Sequence, residues 1–174
     1  MSAVSSRQKS RKVIWSMGAL VFLLVGCQMP LLTGNGDRLM PDARIAIAQG
    51  AAQSGTFQSN DITVVYQYSR SAPGTLEIAG KVTFSTAMQE NFTVVNYFYL
   101  GIYLADSSGT ILGMRDLAGT GGVNFTGRGP TDVTFKKTLQ VPAATAMMAF
   151  RYTGRAESDM RGSPTDFFSD PILR

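Results

Sequence analysis

From about Asn60 onward, apolar residues recur at every second position with polar residues between them, the period of strands that bury one face. Ile62, Val64, Tyr66 and Tyr68 share one face of a first strand, and Pro73-Gly74 supplies the turn after it. Leu76, Ile78, Gly80, Val82 and Phe84 then alternate with Thr75, Glu77, Ala79, Lys81 and Thr83. The next stretch is apolar on both sides. Phe92, Val94, Phe98, Leu100, Ile102 and Leu104 form one face and Val95, Tyr97, Tyr99 and Tyr103 the other, which predicts a central strand. Asp106-Ser107-Ser108-Gly109 reads as a turn, because aspartate bonds the backbone two residues on and glycine accepts positive φ. Ile111 to Leu117 returns as the second arm of a hairpin. Ala118 to Pro130 carries five glycines and reads as a long loop. Val133, Phe135 and Leu139 mark another strand, which Pro142 ends. Ala146, Met148, Phe150 and Tyr152 begin a last long one, and Phe167-Phe168 in the polar tail can dock on the sheet.

Six or so short strands, Gly/Pro turns and no amphipathic helix predict an all-β fold, an antiparallel immunoglobulin-like β-sandwich over residues 61–174. Residues 27–60 are rich in Gly, Ala, Gln and Ser with no sustained period, and read as a flexible tether. Within them Ala43 to Ala48 has apolar residues two apart. It fits either a short strand added to the domain or a short helix.

Residues 1–12 are polar and positive, and Val13 to Val25 is an uncharged apolar run that stops at Gly26-Cys27. This is the pattern of a cleaved secretory signal over residues 1–26. The run is shorter than the roughly 20 residues of a comfortable membrane span. Leu24-Val25-Gly26-Cys27 resembles the lipobox of bacterial lipoproteins. The resemblance implies that the Cys27 thiol takes a diacylglyceryl group, that cleavage precedes it, and that the new amino terminus is acylated. Several acyl chains anchor firmly, because each buried methylene adds about 0.8 kcal/mol. In enteric lipoproteins an aspartate after the cysteine is the inner-membrane retention signal. Gln28 stands there instead, which points to the outer membrane with the domain facing the periplasm. Leu100 to Gly113 is similar to the central hairpin of bacterial immunoglobulin-like domains of the F-x-L-Y-D type, with Leu104-Ala105-Asp106 in place of the L-Y-D core.

Charge and inventory narrow the chemistry. The net charge is +4, but four of the sixteen basic residues lie before Cys27, leaving twelve against twelve acidic ones. The basicity belongs to the leader, so nucleic acid is not an expected partner. Histidine is absent and Cys27 is the one cysteine, which removes Cys-His zinc sites, histidine-dependent catalytic sets and internal disulfides. Gly119-Thr120-Gly121-Gly122 has neither the helix nor the lysine of a phosphate loop. The Asp106 turn lacks the carboxylates of a calcium loop. Only Glu77 and Glu90 lie in or beside the strand-rich centre, each with a solvated-face explanation, and no S-x-x-K motif occurs. No enzyme, metal or cofactor is expected, apart from the covalent diacylglycerol and acyl chain on Cys27.

Aromatic residues carry the candidate contact site. Strand alternation puts Tyr97, Tyr99 and Tyr103 on one face. There they either cover the second side of a central strand or offer ring area with polar tips to a protein or glycan. The Gly119–Gly129 loop is a second candidate, and an uncovered edge strand could take a strand from another protein. The expectation is a lipid-anchored, non-catalytic envelope lipoprotein that serves as a protein-interaction or accessory subunit. The alternative is a glycan- or peptidoglycan-binding module using the aromatic face.

Overall fold

The computed structural model describes residues 36–72, 74–127, 131–158 and 163–173. The predicted signal over 1–26, Cys27 and the start of the tether lie outside the described residues. The elements in chain order are β1 (Arg38–Leu39), a 3-10 turn (Pro41–Ala43), β2 (Ile45–Ala46), β3 (Gly50–Gln58), β4 (Ile62–Ala72), β5 (Thr75–Phe84) and the helix α1 (Thr86–Asn91). They continue with β6 (Val94–Ala105), β7 (Ile111–Asn124), β8 (Asp132–Gln140), β9 (Met147–Glu157), β10 (Thr165–Ser169) and β11 (Ile172–Leu173).

Two antiparallel sheets face each other. One runs β3-β4-β5-β8, and the other runs β10-β9-β6-β7 with β2 also paired to β9. The all-β sandwich expected from the alternation is what forms. Ile62, Val64, Tyr66 and Tyr68 from β4, with Leu76, Ile78, Val82 and Phe84 from β5, point at Phe98, Leu100, Ile102 and Leu104 from β6 and Met148, Phe150 and Tyr152 from β9. Phe84 meets Phe98 edge-on at 5.2 Å, and Phe98 stacks on Phe167 at 6.2 Å. Such ring pairs add about 0.5–1.5 kcal/mol each beyond burial.

Polar ties hold the two sheets in register at the rim. Tyr152 donates its hydroxyl to Asp61 Oδ2 at 2.7 Å, and Tyr68 donates to the Ala46 carbonyl at 2.8 Å. The buried Arg70 donates to the Thr145 and Ala143 carbonyls. Desolvation raises the Tyr152 hydroxyl well above the ordinary phenol range.

Several expectations are corrected, and one left open is decided. Residues 36–58, assigned to the tether, are folded with the sandwich: β3 pairs with β4, with a register shift between Gly50 and Gln53, and Ile47 is buried. Within Ala43 to Ala48, Ile45 and Ala46 form a short strand paired with Met148 and Met147, while Ala43 ends the 3-10 turn. Ala118 to Asn124 is no loop but the second half of β7, paired to β6. A short helix follows Ser85, whose side chain accepts from Met88 N at 3.2 Å and so caps it. Finally, a register shift between Val95 and Tyr97 turns Val95 inward, away from the tyrosines.

Glycines across both sheets explain how a glycine-rich stretch such as the second half of β7 forms a strand. Gly55 is the register partner of Tyr66, Gly80 of Phe135, Gly119 of Tyr99 and Gly154 of Phe167. At each, a Cβ would fall against that partner's ring. In these strands glycine is the space into which a cross-strand ring leans.

Candidate interaction face

The outer face of the β10-β9-β6-β7 sheet is built in rows across the strands. Met114, Tyr103 and Ala149 form one row, and Asp116, Gly101 and Arg151 the next. Gly119, Tyr99, Thr153 and Phe168 form the third, then Gly121, Tyr97, Arg155 and Asp166. Alternation along β6 thus places Tyr97, Tyr99 and Tyr103 on one face, as expected.

They do not share one environment. Tyr103 is 2% exposed, inside a second small core with Leu39, Ala105, Ile111, Ala149 and Ile172. Strands β1 and β11 pair with each other over it. Its hydroxyl donates to Asp170 at 2.9 Å, and the Arg151 guanidinium sits 5.5 Å above its ring. Burial first, then the bond to Asp170, pushes the hydroxyl up to about 12. Tyr103 is therefore a structural residue with no surface for a partner.

At the other end the face is open. Tyr99 is 56% exposed and Phe168 is 70% exposed. Tyr97 is half-buried, with its ring centroid 5.9 Å from that of Tyr99. Thr153 separates Tyr99 from Phe168, two strand spacings or about 10 Å apart at the backbone. Tyr99 leans over Gly119, whose Cβ would lie 2.9 Å from its ring. Beside the rings Arg155 grips Asp166 with two bonds, 2.8 and 3.1 Å. That pair holds the Asp166 carboxyl below the usual carboxylate range, with a smaller contribution from a Tyr97 hydrogen bond.

This arrangement can stack flat apolar groups and bond polar ones at their edges. Among the described residues no three His, Cys, Asp or Glu side chains converge as a metal site. Of Phe167-Phe168, expected to dock on the sheet, only Phe167 is buried; successive strand residues face opposite sides, so Phe168 turns out to the solvent. The expected Gly119–Gly129 contact loop dissolves, since its first six residues are strand; residues 128–130 lie outside the described residues. No family model, curated protein or solved structure matches the chain.

Proposed function

We propose that the chain is a lipid-anchored, non-catalytic lipoprotein of the bacterial outer membrane, facing the periplasm and serving as an interaction or accessory subunit of an envelope assembly. The lipobox-like Leu24-Val25-Gly26-Cys27 and Gln28 support the anchor and the membrane. The observation that carries the contact is the Tyr99 and Phe168 pair, two exposed rings fixed in one cross-strand row of the sheet, on either side of Thr153. Large exposed aromatics on a framework that loses little entropy are what interfaces use as anchors.

One observation favours a second reading, a glycan or peptidoglycan strand. The rings are bordered by Thr153, Arg155 and Asp166, polar groups able to bond sugar hydroxyls while the ring faces take the apolar side of a pyranose.

Affinity purification of the full-length, tagged protein from detergent-solubilised envelopes, beside a Cys27→Ala version, separates these readings. The accessory-subunit reading predicts a near-stoichiometric protein that is lost or reduced without the lipid. Recovery of no protein above background from either version contradicts it and leaves glycan binding as the reading to test.

A further inference from the structure

Among the described residues the edges of the two facing sheets are β3, β8, β7 and, along β9, β10 with the two-residue β2, and all but β3 are short or guarded. β7 and β8 lie at the same side, where Arg115 Nε donates to the Gln140 carbonyl at 3.0 Å. Both strands also carry charge, Arg115 and Asp116 on β7 and Asp132, Lys136 and Lys137 on β8. Lys137 stands opposite Ile78, on the inner-face row of its strand. A charge there is a known device against edge-to-edge pairing. β10 is only five residues long and carries Asp166.

β3 carries no charge, and its irregularity, a register shift between Gly50 and Gln53, leaves residues 53–58 regularly paired with β4. It is nine residues long, about 30 Å of strand, and seven of the nine are exposed. Residues 45–60 contain no charge and no proline. β3 pairs with β4 on one side, and among the described residues no backbone bond satisfies its other side. Its side chains are small or neutral: Gly50, Ala51, Ala52, Gln53, Ser54, Gly55, Thr56, Phe57 and Gln58. At one end of β3 a cleft of about 600 Å³ opens between Thr56, Phe57 and Gln58 on one wall and Ser169 and Pro171 on the other.

We propose that two copies of this chain pair β3 to β3, antiparallel about a two-fold axis near Ser54, joining their four-stranded sheets into one continuous sheet. Neutrality argues for a second copy. A two-fold axis sets a strand against itself, so any charge near the axis meets its own sign, and β3 carries none. A foreign strand chosen by charge would need charged residues on β3 to choose it. The antiparallel register centred on Ser54 pairs residues of equal parity, so outward Ser54 and Thr56 stay in the outer row and inward Gln53 and Gly55 in the inner one. A nine-residue edge buries less than the roughly 1,200 Å² of a stable interface, so the pair forms best when both copies are held at high local concentration.

The test uses the full-length chain in the envelope, co-expressed with two different tags and treated with a short bismaleimide cross-linker. Ser54→Cys places a thiol at the axis. Lys136→Cys places one on the same outer face at the guarded edge, and the parent chain reports any reaction at Cys27. Self-pairing predicts a covalent homodimer carrying both tags for Ser54→Cys, with the Lys136→Cys variant at the parent's background. No homodimer at position 54, an equal yield at position 136, or a Ser54→Cys product containing only a different protein overturns the proposal.

Discussion

Tyr99 and Tyr103 lie on the same strand and the same face, four residues apart, and differ only in what lies above them. Tyr103 is roofed by β1 and β11, bonded to Asp170 and 2% exposed; Tyr99 lies open over Gly119 at 56%. The covered end is a core in miniature, built from the two ends of the domain. The open end keeps its rings in water beside the Arg155–Asp166 pair, and that is the end assigned to contact. Face is decided by alternation, whereas cover is decided by which distant segments return to it.

Four substitutions sharpen that contrast. The largest effect belongs to Tyr103→Ala, which empties a packed site and removes the floor on which β1 and β11 rest. A loss of about 3–5 kcal/mol is expected, read as a fall of roughly 10–20 °C in the melting temperature of the full chain in detergent. Gly154→Val drives a side chain into the Phe167 ring and toward the Tyr97 carbonyl, costing about 1–3 kcal/mol and detaching β10 first, which hydrogen exchange of the Thr165–Ser169 amides would reveal. Tyr103→Phe keeps the ring and loses only the bond to Asp170, at about 1 kcal/mol. Its pH signature is specific. The folded hydroxyl titrates near 12 against 10 for a free phenol, so the native state holds the proton longer. Stability from this group is complete below pH 10 and is lost as pH rises from 10 to about 12, so unfolding curves of Tyr103→Phe should be flatter across that window. Tyr99→Ala has the smallest effect, within about 0.5 kcal/mol, because the ring is a surface group.

Much of the fold was legible because alternation is a local property. The inward rows of β4 and β5, the double-sided β6 and the Asp106 turn all follow from neighbours in the chain. In that turn Asp106 Oδ1 accepts from Ser108 N and Thr110 N, and Gly109 sits at φ 86°. What escaped depends on pairing across the chain. Gly119 reads as a loop residue until Tyr99 is known to lie over it, and residues 50–58 read as a tether until β4 is known to pair with them. The contact site was half legible for the same reason: the shared face of Tyr97, Tyr99 and Tyr103 is in the sequence, but the roof over Tyr103 comes from residues more than sixty positions away on either side.

If contact runs through the open end, a Tyr99→Ala, Phe168→Ala double variant removes it. Full-length tagged wild type and variant would be purified in parallel from detergent-solubilised envelopes, with melting temperatures compared to establish that both are folded. Contact through the two rings predicts an unchanged fold, a near-stoichiometric protein recovered with the wild type, and its loss from the variant. Equal recovery from both, or a wild type that brings nothing with it, would rule out contact through the open end.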